Sequence, residues 1–204
     1  MLDGLWRFEA RHPEWTDEEG EEEGWDPVVG WWIVASASGL VLVDPLIDDW
    51  READRLVEEH GGCAGVIRSC HWHQRSVDQA AARYHAEVWA KAHAAGRGWP
   101  GYDRELTERQ ELFGAITAFE TGRDDEVALW VAPERALIFG DAMLRREEGQ
   151  LIVCPDSWTQ PEGGPEALRA RLRALAELPV EHVLVSHGPL VLGGGLTALR
   201  AATG

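Results

Sequence analysis

From residue 31 to residue 92, apolar β-rich runs alternate with amphipathic helical ones, and this alternation constrains the chain more than any other feature. WWIVASASGLVLVDP, residues 31 to 45, holds two β-rich segments split by small residues, the pattern of a hairpin whose second strand ends at Asp44. From Asp48 to His60 the spacing of Trp50, Ala53, Leu56 and Val57 makes one apolar helical face, with Asp48 or Asp49 placed to cap it and Gly61-Gly62 to end it. AGVIRSC then reads as a strand, SVDQAAARY as a helix opened by a capping Ser76, and AEVWA as a further strand. Strands separated by helices pair in parallel, because the crossover returns the chain to the same end of the sheet.

The middle of the chain changes character. Residues 94 to 111 are glycine-rich and then charged, and are expected to form a loop or short insertion over the sheet. GAITAFETG, EVALWVAP and RALIFGD predict a three-strand meander with turns at 122 to 125 and 133 to 135. Pro165 opens a helix carrying Leu168, Leu172, Leu175 and Leu178, and HVLVSHG is a last strand before a short C-terminal helix. Two β-rich halves that each carry helices predict a layered α/β domain, sheets inside and helices outside, with active residues at strand ends.

At 204 residues the chain is expected to form one domain spanning 1 to 204. Forty-five per cent hydrophobic residues, and no apolar run near the ~20 of a membrane span, describe a soluble protein. The opening MLDGLWRFEARHPEW lacks a basic-then-apolar leader, so the expected location is the cytoplasm. Cysteines 63, 70 and 154 form no close-spaced pair and read as three ordinary thiols, with Cys70 as strand-end packing. A net charge of −17 disfavours nucleic acid and anionic membranes as partners. Much of the acid lies in TDEEGEEEGWD, residues 16 to 26, read as a solvated loop between two N-terminal strands. The expected partner is a small-molecule ligand; a homo-oligomer is compatible with the sequence but does not follow from it.

Four polar markers end apolar strands: Asp44 in VLVDP, His71 and His73 in HWH, Asp141 in IFGDAM, and His187 in VSHGP. Residues two apart in extended chain point the same way, so His71 and His73 can converge on one ligand. Imidazole and carboxylate suit zinc, manganese or iron. The ordered set resembles the metallo-β-lactamase superfamily from about residue 30 to the end of the chain. That resemblance implies a four-layer αβ/βα sandwich of two mixed β-sheets with outer helices, and in most members metal-dependent hydrolysis. Residue by residue, His71 and His73 match the first two histidines of the HxHxDH signature, Asp141 the aspartate bridging two metals, His187 the late histidine of the second metal, and Asp44 an aspartate supporting the metal turn.

Three positions depart from the pattern. The signature's aspartate and third histidine fall on Arg75 and Ser76, and the mid-chain GHT motif falls on TGR, so glycine stands where a histidine ligand would be. A standard two-metal centre is therefore not expected: the site holds no metal, or one divalent ion, zinc first, through His71, His73, Asp141 and His187. Asp44, Arg75, Ser76 and Arg123 are expected to line it. Arg75 is expected to pair bidentately with Asp141 in place of a metal, and Arg123 to pair internally beside Asp124 and Asp125. Trp72, Trp130 and Trp158 fall near the expected strand-end face, and Trp6, Trp31 and Trp50 read as packing. His12, His60, His85, His93 and His182 read as ordinary histidines, and neither Ser76 nor Ser186 sits in a GxSxG elbow. Two functional readings stand: a catalytically silent or weakly hydrolytic protein on a hydrolase fold, and a single-metal hydrolase of a small ester, thioester, lactam or lactone.

Overall fold

The computed structural model describes residues 2–18, 20, 26–92, 101–146, 149–158 and 164–204. The acidic stretch from 16 to 26, His93 and part of the 94 to 111 segment lie wholly or partly outside them. Strands β1 (Leu5–Arg11), β2 (Val28–Ser36) and β3 (Gly39–Val43) form an antiparallel ribbon. Helix α1 (Arg51–Glu59) returns the chain to β4 (Cys63–Arg68), which pairs in parallel with β3, and α2 (Val77–Tyr84) leads to β5 (Val88–Lys91), parallel again. The hairpin and the two crossovers are those predicted from the alternation of residues 31 to 92.

Two details differ from expectation. Part of the 94 to 111 segment is strand: β6 (Arg104–Leu106) extends the sheet beyond β5, and β7 (Gln110–Leu112) begins the second sheet. Its Leu106 and Leu112 are buried while their neighbours are largely exposed, an alternation too short to stand out among charged residues. Ser76 makes no cap hydrogen bond to α2; its hydroxyl accepts the Ile47 amide at 2.9 Å and fastens the loop after β3 instead.

The second sheet has the order β14-β13-β10-β9-β8-β7, from β8 (Ile116–Glu120), β9 (Val127–Val131), β10 (Ala136–Phe139), β13 (His182–Val185) and β14 (Val191–Leu192) with β7. Its β10–β13 pair is parallel and the rest antiparallel, so both sheets are mixed. A hairpin of β11 (Met143–Arg145) and β12 (Leu151–Val153), then α3 (Gly164–Ala174) and α4 (Gly195–Thr203), complete the described chain.

Period-two alternation builds three apolar layers. Trp31, Ile33, Leu40 and Leu42 face Leu56 and Val57 of α1 and Val77 and Ala80 of α2. Trp32, Val34, Val41 and Val43, from the same strands, meet Leu129, Val131 and Ile138 between the sheets. On the far side Leu137 and Phe139 pack with Leu168 and Leu172 of α3 and Leu199 of α4. The result is helix, sheet, sheet, helix, with the central strands β3, β9 and β10 buried on both faces. Among the described residues no helix is long and apolar enough to cross a membrane.

The β11 hairpin is fastened to the end of β13 where Arg145 N donates to His187 O at 3.0 Å. Gly188 makes that approach possible: its φ is 94°, and a Cβ there would lie 1.8 Å from Arg145 O. Gly188→Ala is expected to lower unfolding free energy by about 3 kcal/mol or more in urea titration; a loss under about 0.5 kcal/mol would contradict this close approach.

Candidate metal and strand-end site

Main-chain contacts between the two sheets gather the strand ends. Past β4, His71 N donates to Asp125 O at 2.9 Å and Ser69 O accepts Val127 N at 2.9 Å, with Cys70 bridged to Glu126. Past β13, Ser186 O accepts Gly30 N at 2.7 Å and His187 bridges to Val29. The ends of β3, β4, β10 and β13 are thus drawn together, and Asp44, His73, Asp141 and His187 meet there.

Asp44 is fully buried with φ 50°. Its carboxylate accepts the Ser69 amide at 2.7 Å and the Ser69 hydroxyl, and faces His73 Nδ1 across 2.9 Å. The other ring nitrogen, His73 Nε2, lies 3.0 Å from Asp141 Oδ1, and His187 Nε2 reaches the same oxygen at 3.1 Å. Asp141 Oδ2 accepts the Cys70 thiol at 3.1 Å. Glycine at 140 permits this packing, since a Cβ there would meet Cys70 Cβ at 2.7 Å and His73 Cε1 at 3.3 Å.

Burial and Arg75 push the His73 pKa down, but Asp141 and Asp44 outweigh them and hold it up at about 9. His187 goes the other way: burial lowers it despite its contact with Asp141. Burial would raise Asp141, yet the two histidines hold its carboxyl well below the usual range. Cys70 is pushed well up, by burial first and Asp141 second, so its thiol is neutral beside that carboxylate.

Arg75 is drawn into the site but does not pair with Asp141 as expected. Its guanidinium donates to Gly30 O at 3.2 Å, to Asp44 O at 3.3 Å and to Ser186 Oγ at 3.0 Å. The reason lies in Asp141, whose two oxygens already serve His73, His187 and Cys70, and in the turn that leaves Arg75 at φ 36° among strand-end carbonyls. At Gly122, with φ 100°, a Cβ would come within 3.1 to 3.2 Å of Arg171 Cγ and Cβ and of the Leu168 Cα in α3. Arg123 pairs internally as expected, holding Asp125 bidentately at 2.9 and 3.0 Å and donating to Trp158 O at 2.7 Å.

Among the described residues, Cys70, His73 and Asp141 form the one group of three or more whose possible ligand atoms all lie within 4.8 Å of one another. His187 touches it through Asp141. His71 is buried, but it is not in that group. Cys70, read from the sequence as strand-end packing, is fully buried and also joins this group, whereas Glu126 escaped the sequence reading. A cysteine beside HxH was the available signal for the first, while nothing in TGRDDEV marks Glu126, a buried carboxyl that accepts Gly140 N and is pushed up to about 8 by burial against the pull of Arg123. His12, taken as ordinary, also senses this cluster: burial and then Arg75, His73 and His187 lower it to about 4. Trp158 stacks edgewise on His187 at 5.5 Å, and Trp72 is exposed on the turn, whereas Trp130 belongs to the packed layer under α3 and α4 rather than to the site. The hydroxyl of Ser186 donates to Gly30 O, which suits a structural role.

No family model and no curated protein matches the sequence. Solved structures do match in shape. A metallo-beta-lactamase from Pontibacter korlensis superposes with TM-score 0.68 at 13% identity, covering 100% of this chain and 96% of that one. FIM-1 from Pseudomonas aeruginosa, a metallo-beta-lactamase described in a mono-zinc form, gives 0.68 at 13%, covering 100% and 92%. TTHA1623, described in a di-iron-bound form, gives 0.64 at 22%, covering 86% and 93%. The chain therefore has the metallo-β-lactamase fold, the αβ/βα sandwich of two mixed sheets predicted from the resemblance.

Two expectations test this geometry. In chelator-treated protein, proton NMR of the imidazoles should show His73 titrating near 9 and His187 below its ordinary ~6.5, with Asp44→Asn lowering the former; a common titration near ~6.5 would contradict the contacts drawn here. Gly122→Ala should cost about 1–3 kcal/mol in urea titration, and an unchanged midpoint would mean that α3 does not close over that position.

Proposed function

We propose that this chain carries an eroded two-cation centre and is silent, or nearly so, as a hydrolase. The observation that carries the reading is Arg75, a permanent cation held inside the site by Gly30 O, Asp44 O and Ser186 Oγ. It stands where the resemblance calls for an anionic ligand of the second metal. At ~4 Å, with an effective dielectric of ~20, a dication beside a guanidinium is opposed by about 8 kcal/mol. Gly122 supports the reading independently, because it offers no ligand and even a Cβ at its positive φ would press on α3.

One cation is compatible with the donors. Cys70, His73 and Asp141 converge, with His187 on the same Asp141 oxygen. A zinc-type ion there would supply Lewis-acid polarisation. The chain's own residues do little to admit a substrate: Cys70 is 0% exposed, His73 2%, His187 6% and Asp141 7%. Closed sites of this kind are structural more often than catalytic. The second reading, a single-metal hydrolase of a small ester, thioester, lactam or lactone, is favoured by the same convergence. A cytoplasmic setting and a small-molecule partner accompany either reading, and the charge of −17 weighs against nucleic acid.

The test is stoichiometry with turnover. Protein purified without chelators and saturated with zinc is expected to carry no more than one ion per chain. It should hydrolyse a β-lactam, a lactone, a thioester and an ester no faster than Asp141→Ala does. Two ions per chain, or turnover abolished by chelator and restored by zinc, would overturn the silent reading.

A further inference from the structure

We infer that Cys70 is a metal ligand, and that a single zinc-type cation is held by the Cys70 thiolate, His73 Nε2 and the Asp141 carboxylate, with His187 beside them on Asp141. The inference rests on the reading above, that the site holds one cation at most. The resemblance assigns the first ligand of the turn to His71; the geometry moves it one residue earlier. Cys70 Sγ lies 3.1 Å from Asp141 Oδ2 and His73 Nε2 lies 3.0 Å from Asp141 Oδ1, so one sulfur, one nitrogen and one oxygen already lie within 4.8 Å of one another. The turn that carries both residues closes locally, with His73 N donating to Cys70 O at 3.0 Å.

Two further features fit ligation. Asp44 Oδ2 stands 2.9 Å from His73 Nδ1, which places a carboxylate behind the ring and leaves Nε2 on the Asp141 side. Gly140 leaves the room that Cys70 and His73 occupy against the Asp141 segment, where any larger residue would press on both. On binding, the Cys70 thiol gives its proton to solvent and His73 binds as the neutral imidazole with Nδ1–H toward Asp44, releasing the proton it carries otherwise. The thiolate and the Asp141 carboxylate then balance the two positive charges of the ion. Sulfur in the set selects zinc or cobalt over magnesium and calcium, which take oxygen ligands.

Cobalt reads the sulfur directly. Anaerobic titration of the full chain with Co2+ is expected to give a near-ultraviolet thiolate-to-cobalt band that saturates at one equivalent. Cys70→Ser should lose the band and bind at least roughly 10-fold more weakly, while His71→Ala keeps both. No band in the wild type, a band persisting in Cys70→Ser, or His71→Ala losing as much affinity as Cys70→Ser would overturn the assignment. X-ray absorption of the zinc-loaded wild type needs no variant: one sulfur at about 2.3 Å is expected, and a shell of nitrogen and oxygen alone contradicts it. A single ion without sulfur defeats only this assignment, whereas two ions per chain defeat the reading beneath it.

Discussion

The carboxylate of Asp44 is the fixed point of the strand-end site. It ends β3 in a left-handed conformation, is sealed from solvent, accepts both the amide and the hydroxyl of Ser69, and faces His73 Nδ1, while its own carbonyl takes Arg75. A buried carboxylate without such donors would be costly, and each donor it gathers is thereby positioned. The turn from Ser69 to Ser76 is ordered by that requirement, and with it the direction of Cys70, His73 and Arg75. On the other flank Ser76 closes the turn by accepting the Ile47 amide.

The second constraint is charge. Two carboxylates, Asp44 and Asp141, are buried within a few ångströms of His73, and a buried charge persists only where something compensates it. In a two-cation hydrolase that compensation would come from metal. Here the guanidinium of Arg75 lies in the same neighbourhood, and the two carboxylates push the His73 pKa up to about 9 against burial and Arg75. Beside them Arg123 neutralises Asp125 and faces Glu126, an adjoining buried network that touches the site through Gly140 and ties the turn before β9 to the main chain of Trp158.

Much of this was legible in the residues. Period-two alternation in WWIVASASGLVLVDP and helical spacing at Ala53, Leu56 and Val57 lead directly to β2, β3 and α1, because each pattern buries one face. The short strands β6 and β7 were not legible, since three residues among charges carry no period. Asp44, His73, Asp141 and His187 could be placed at strand ends one by one, and Arg75 could be recognised as a cation near them. Its partners could not: the occupancy of Asp141 by two histidines and a thiol is a tertiary fact, and it redirects Arg75 to Gly30, Asp44 and Ser186. Cys70 reads as packing from the sequence, and its full burial fits that reading; its 3.1 Å contact with Asp141 is a tertiary fact that the sequence does not carry.

The central proposal is that a half-buried arginine stands where a second metal would bind. A crystal structure of zinc-saturated protein with anomalous data on both sides of the zinc edge tests it most directly. The account predicts at most one anomalous peak, beside His73 and Asp141, with Arg75 still on Gly30 O and Ser186 Oγ. Two peaks, with Arg75 swung out to solvent, would contradict it.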